Sequence, residues 1–403
     1  MTTTAPSPAT TAPAAKASHF TLAVLALALG GFAIGTTEFV TMGLLPQIAD
    51  GVGVTIPQAG HVISAYALGV VVGAPLLAFL GARLPRRAVL GGLMAGFAVA
   101  NGLSALAPSY EALFVARFVS GLPHGAYFGV ASLVAAALAP PGRKGRAVAA
   151  VMLGLSFANV VGVPAATLLG QSVGWRAAFW TVAALGVLTL VLVLAFVPSY
   201  PGDTGASGRA ELAALRVPQV WLTLLIGAVG FGGMFAVYSY IAPTVVEVGG
   251  LGERSVSVFL LAFGLGMVAG TWVAGRLADW SVLRSMVIGM VGTSLTMVAF
   301  WLAAPHGWAA LPVVFMITVL SSVLVVNLQL RLMDVAGNAQ TLGAAMNHAS
   351  LNAANALGAW TGGLVIAAGW GLRAPALVGL LLSLAGLAVL AVSIGLARRD
   401  PLR

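Results

Sequence analysis

Glu38 lies in the stretch Gly35-Thr-Thr-Glu38-Phe, and no other carboxylate sits so deep inside a long apolar run of this 403-residue chain. A charge at bilayer depth costs at least about 2.5 kcal/mol, so such a group faces a bundle interior or a wet cavity. A carboxyl that gains and loses a proton between two aqueous sides can carry that proton across. The competing reading is a structural carboxylate, hydrogen-bonded to a neighbouring helix. Arg117 is the second charge inside an apolar run, and its spacing puts it on one helical face with Gly121, His124 and Phe128. Arginine keeps its proton, so it needs a partner or water. It can pair with Glu38, contact an anionic substrate group, or lie near the outer end and snorkel to the interface. His124 can relay a proton near neutral pH, or it can serve as a hydrogen-bonded packing residue.

Uncharged groups complete the set. His348, Asn352 and Asn355 form a polar stripe on one face, with Asn347 beside them, and Asn159 matches Asn355 in an internal repeat. Amides of this kind either line a ligand cavity or join helices at about 1 kcal/mol each. Asn327 and Gln329 are weaker candidates of the same kind. Phe231, Phe235, Tyr238 and Tyr240 make an aromatic cluster that Tyr66 and Tyr127 extend if their faces point inward. Aromatic walls with a few polar groups suit an amphipathic ligand, and packing alone also explains them. Gly154, Gly162-Val-Pro164 and Gly170 mark a bend, because proline removes a backbone hydrogen bond.

The elements that must hold these residues are apolar and long. A spanning helix needs about 20 mainly apolar residues. Twelve such runs occur, near 20–45, 57–80, 88–107, 109–138, 145–172, 176–197, 218–246, 255–278, 284–304, 308–331, 341–369 and 373–397. The chain is 60% hydrophobic and 7% charged, against about a quarter charged in soluble domains, so lipid must be the solvent for most of it. The net charge of +9 is spread over short loops, which is a membrane-topology pattern and not a nucleic-acid footprint. Fifteen of the nineteen Lys and Arg fall on one side, which places both termini in the cytoplasm. The chain has no cysteine and its five histidines have no metal-ligand spacing. No metal, cofactor, nucleotide-binding loop or nucleophile–base pair is expected, so an enzyme is not.

A gapless offset of 197 relates two parts of the chain. Pro46 matches Pro243, Gly53 matches Gly250, Gly69 matches Gly266, Gly73 matches Gly270 and Arg87 matches Arg284. The expected organisation is a tail at 1–18, a six-helix half at 19–197, a cytoplasmic linker at 198–217, a second half at 218–397 and a tail at 398–403. Six is even, so the copies are parallel, a known transporter architecture with its site at the repeat interface. Glu38 breaks the symmetry, since its counterpart is Phe235.

These residues resemble the major facilitator superfamily over about residues 19–397. The loop Gly81-Ala-Arg83-Leu-Pro-Arg-Arg87 is similar to that family's loop between its second and third helices, with Ala82 in place of the acid. The second copy, Gly275-Arg-Leu-Ala-Asp279 to Arg284, keeps the acid. Arg117-Phe-Val-Ser-Gly121 resembles the motif that the family links to proton coupling. Gly154 to Gly170 resembles the fifth-helix motif of drug/proton antiporters, with Val163 intervening between Gly162 and Pro164. Gly35-Thr-Thr-Glu38-Phe, Gly121-Leu-Pro-His-Gly125 and Arg331-Leu-Met-Asp-Val-Ala-Gly337 look like arabinose-efflux-permease-like proteins and actinobacterial chloramphenicol-resistance exporters.

The resemblance implies an all-α membrane protein of twelve transmembrane helices in two pseudo-symmetric parallel halves. It implies proton-coupled export of a small amphipathic compound from the inner membrane, phenicols included. The partners are then a small-molecule substrate, protons and lipid, and the expected state is a monomer. Sugar or nucleoside export, proton-coupled uptake and a non-transporting sensor are the alternatives. Expected roles are proton coupling for Glu38, Arg117 and His124. Substrate contact is expected at Glu38, Tyr66, Tyr127, Asn159, Phe235, Tyr238, Asn327, His348, Asn352 and Asn355. Gating is expected at Arg83, Arg87, Gly162, Pro164, Asp279 and Arg284.

Overall fold

Proline and glycine decide where the long apolar runs break. The computed structural model describes residues 17–81, 84–140, 144–199, 216–335 and 340–399, and every regular element among them is helical. The tail before Ala17, Arg83 and most of the linker lie outside these residues. The first helix begins at Ala17, two residues inside the expected tail.

In the first half, α1 spans Ala17–Gly43, α2 Leu45–Val52, α3 Ile56–Gly81, α4 Arg86–Leu106 and α5 Tyr110–Leu138. The next span is α6 (Lys144–Phe157), a π turn (Ala158–Gly162) and α7 (Val163–Val173), followed by α8 (Trp175–Phe196). In the second half, α9 covers Pro218–Gly230, α10 Gly232–Ser239 and α11 Ile241–Pro243, followed by a π turn at Thr244–Val248. Then come α12 (Ser255–Trp280), α13 (Val282–Ala303), α14 (Ala310–Val335), α15 (Gln340–Val365) and α16 (Ala374–Arg399).

Each of the twelve expected runs therefore carries helix. Among the described residues ten segments are long and apolar enough to cross a membrane, and one of them, the 54-residue Val282–Val335, holds both α13 and α14. The first and seventh runs are not single helices. Leu44 (φ −112°, ψ 14°) separates α1 from α2, and Tyr240 (φ −115°, ψ 21°) separates α10 from α11. The physical cause is the repeat pair Pro46 and Pro243, which cannot donate to the preceding turn. The same two segments end on Gly53 (φ 70°) and Gly250 (φ 65°), where a left-handed backbone favours glycine. Pro164 likewise follows a π turn, a widening that satisfies the backbone where the proline N–H is missing.

The other repeated glycines set helix crossings. A Cβ on Gly69 or Gly73 would collide with the carbonyls of Phe118 or Leu122 on α5. A Cβ on Gly266 or Gly270 would collide with Thr318 or the Val319 carbonyl on α14. Small residues of this kind let backbones approach closely in lipid. Two apolar clusters belong to the first half alone. A larger one joins Phe39, Met42, Ile63 and Val163 to Phe235, Tyr238, Phe259 and Phe263 of the second half. Outward faces carry exposed Leu25, Val99, Val191, Leu295 and Leu381, as lipid contact requires.

Candidate functional site

Residues Thr36 to Thr41 of α1 are all buried, and Glu38 is 5% exposed. Among the described residues no ion pair or hydrogen bond reaches its carboxylate, and the one ion pair found joins Arg331 to Asp334 at 3.2 Å. Glu38 lies within electrostatic reach of Arg117, Tyr66 and Tyr238. A carboxyl in that position is open to a proton or a ligand cation. The hydrogen-bonded structural carboxylate considered from sequence is not what the structure holds.

Arg117 corrects the interface reading. It is fully buried and lies 4.4 Å over the Tyr66 ring and 5.2 Å from the Phe179 ring centre. Its guanidinium donates to Thr37 Oγ1 at 2.9 Å and to Thr37 O at 3.0 Å. It forms no ion pair with Glu38.

His124 comes within 3.1 Å of the Tyr66 hydroxyl through Nδ1. Its ring also meets His348 of the second half, with centroids 6.4 Å apart. Phe128 stacks on His348 at 5.6 Å and nearly parallel. Three expected residues from three helices, Tyr66, His124 and His348, thus meet where the halves join.

The aromatic expectation divides. Phe235 and Tyr238 pack against Phe39 at 6.3 and 5.8 Å, and Tyr238 stacks on Phe263 at 3.6 Å. This box crosses between the halves beside Glu38, and the Tyr238 hydroxyl is buried without a partner. Two tyrosines belong elsewhere. Tyr127 donates to Leu27 O at 2.9 Å and packs in the first-half core. Tyr240 donates to Ala359 O at 2.7 Å. Both hydroxyls are committed to holding helices together, so Tyr127 is removed from the substrate set.

The amides behave differently from helix-joining groups. Asn159, Asn327 and Asn352 each donate to the carbonyl four residues back on their own helix, at 3.1, 2.9 and 3.0 Å. Each leaves its Oδ1 buried and unpartnered, and Asn355 leaves both amide atoms so. Buried polar atoms are ordinarily paired, and exceptions call for an explanation such as a ligand. Among the described residues no hydrogen bond joins Asn327, Asn352 or Asn355 to the Glu38 box. Asn159 lies in the π turn, whose backbone abuts Gly264 on α12.

Of the expected gating charges, Arg83 lies outside the described residues. Asp279 and Arg284 are both exposed, and among the described residues neither makes an ion pair. Arg284 lies 5.0 Å from the Trp280 ring centre, and its backbone N–H caps against Ser281 Oγ. Arg87 donates to the Leu194 carbonyl within its own half. The hydrogen bonds between halves gather toward one end instead. Gln47 Nε2 donates to Glu253 Oε2 at 3.0 Å, Gln171 Nε2 to Glu253 O at 3.0 Å, and Ser64 Oγ to Ala356 O at 3.1 Å. Phe39, Thr37, Asn101 and Glu253 were missed from sequence. A lone Asn101 in the third apolar run was the available signal for one of them.

A family model of the Major Facilitator Superfamily matches residues 27–359. The chain belongs to that superfamily. It is 41% identical over 378 residues to the inner membrane transport protein YdhP of Escherichia coli, covering 94% of this chain and 96% of the relative. It is 38% identical over 338 residues to a chloramphenicol resistance protein of Streptomyces lividans, covering 82% and 86%. The crystal structure of a D-xylose-proton symporter superposes with a TM-score of 0.74 at 17% identity, covering 91% of this chain and 97% of that one. This superfamily member is a multi-pass inner membrane transporter for a small molecule and is not an enzyme.

Proposed function

We propose that this transporter exports a small amphipathic compound, phenicols among the candidates, in exchange for protons. The observation that carries the reading is Glu38, a buried carboxylate with no protein partner beside an aromatic box built from both halves. One elementary charge moving through 100 mV is worth about 2.3 kcal/mol, and a tenfold proton gradient adds about 1.4 kcal/mol. Together they support accumulation of about a few hundredfold per proton for a neutral substrate.

In this reading Glu38 exchanges proton for substrate, Arg117 and His124 tune it, and Phe235 and Tyr238 contact the apolar part of the ligand. His348, Asn159, Asn327, Asn352 and Asn355 supply polar contacts. The halves at 19–197 and 218–397 rock about the centre as a monomer, with both termini cytoplasmic and the bend at Gly162 and Pro164 as a hinge. Residence of a chloramphenicol resistance protein among the relatives supports phenicols as the first class to try.

The experiment is a growth-inhibition panel in an efflux-deficient bacterium, with chloramphenicol included, comparing the chain with its Glu38→Gln variant. Resistance to at least one compound that vanishes in the variant at equal membrane level is the expected result. Resistance kept in full by Glu38→Gln would overturn the assignment.

A further inference from the structure

Arg117 does not reach for the Glu38 carboxylate. It binds the residue before it, taking both the hydroxyl and the backbone carbonyl of Thr37. The Thr37 hydroxyl in turn donates to Asn101 Oδ1 on α4 at 2.6 Å. Asn101 is itself fixed by donating through Nδ2 to Phe97 O at 2.8 Å. All three side chains are 0% exposed.

The direction of these bonds matters. A threonine hydroxyl has one proton and two lone pairs. Thr37 spends its proton on Asn101, so it offers only lone pairs to α5, and the guanidinium fills that role. A helical threonine otherwise turns to the carbonyl four residues back, as neighbouring Thr36 does with Phe32 O at 2.8 Å. Asn101 therefore selects the Thr37 rotamer that faces Arg117. Ser120 Oγ, 3.5 Å from the same guanidinium nitrogen, adds a weaker acceptor. Every acceptor that Arg117 uses is neutral, so its charge is held in place without being cancelled. A direct ion pair would tie up the Glu38 carboxylate and lock both groups.

We propose that Asn101 and Thr37 are positioning residues that hold Arg117 off the Glu38 carboxylate while keeping its charge within reach. This rests on the reading of Glu38 as the proton-coupling carboxyl. Arg117 on α5 is the charge that acts on Glu38, and Tyr66 on α3 and Tyr238 on α10 are the titratable groups within reach of its charge. His124 and His348 stand behind Tyr66. On either side of Glu38 along α1, Thr37 meets the neutral Asn101 of α4 and Phe39 meets Phe263 of α12.

The test needs no substrate. Infrared difference spectroscopy on the purified full chain follows the carbonyl stretch of protonated carboxyls against pH, and the Glu38 band is assigned by its loss in Glu38→Gln. Thr37→Val and Asn101→Leu should each displace the midpoint of that band by about one pH unit or more, whereas Thr37→Ser should keep it. Thr37→Val is close in shape, and Asn101→Leu lies on another helix, so one can report if the other fails to fold. Midpoints within about 0.2 units of the parent in whichever folds would overturn the relay and leave the Glu38 reading intact. Absence of any pH-dependent band removed by Glu38→Gln would overturn both.

Discussion

Glu38 is unusual among buried charges because its nearest opposite charge is spent on neutral acceptors. Arg117 bonds the α1 backbone and the Thr37 hydroxyl beside it. Removing one side of a buried charged network leaves the other unsatisfied, at a cost of several kcal/mol. Arg117→Ala should therefore lose transport through loss of the α1–α5 tie, and Arg117→Lys should recover it only in part, since a point charge cannot serve both Thr37 acceptors with a planar fork. Near-parental kinetics in Arg117→Lys would argue that charge alone is the requirement. The acid, the arginine and His124 were legible from sequence because titratable groups stand out in apolar runs. Their partners were not. Thr37 is unremarkable by type, Asn101 stands out only as a lone amide in an apolar run, and only the crossing of α1, α4 and α5 makes them a chain of hydrogen bonds. Tyr127 shows the reverse error: its type suited a ligand wall, and the tertiary contact with Leu27 O assigns it to packing.

At the scale of elements, the internal repeat has a mechanical meaning. Gly69 and Gly73 on α3, and Gly266 and Gly270 on α12, occupy the same place in two equivalent crossings. Substituting a large residue drives its side chain into the facing backbone, so Gly73→Leu or Gly270→Leu should cost about 1–3 kcal/mol or prevent folding. Gly96→Leu should be tolerated, because a Cβ there meets nothing within 4 Å. Thermal unfolding in detergent separates the three, and equal midpoints would contradict the crossing argument. Helix existence was readable from apolar run length. The breaks at Leu44 and Tyr240 were not, although Pro46 and Pro243 stand beside them. A proline states that one hydrogen bond is missing, and packing decides whether the helix bends, widens into a π turn or stops.

At the scale of the molecule, the halves are tied by hydrogen bonds toward the end that carries Gln47, Gln171 and Glu253. Glu253→Ala removes the carboxylate that Gln47 meets and should shift the population toward opening at that end by about fivefold. The chain has no cysteine, so spin labels on Asp50→Cys and Gly252→Cys report the distance across this seam without background. Longer distances in the Glu253→Ala variant are expected, and an unchanged distribution would show that the Gln47–Glu253 contact does not hold that end together. Asp279 and Arg284, which the family resemblance favoured for gating, make no ion pair among the described residues, so Asp279→Asn should leave that distribution as it is. Sequence by itself determined the solvent, the all-helical class, the duplication and the one deeply placed acid, because each is a property of composition or spacing along the chain. Tertiary structure alone decided that His124 meets His348, that Phe39 and Phe263 complete the box with Phe235 and Tyr238, and that Arg117 grips Thr37 and not Glu38. Those are contacts between helices far apart in the chain. A hydrophobic pattern states how much of a helix must be covered, and it does not state which neighbour covers it.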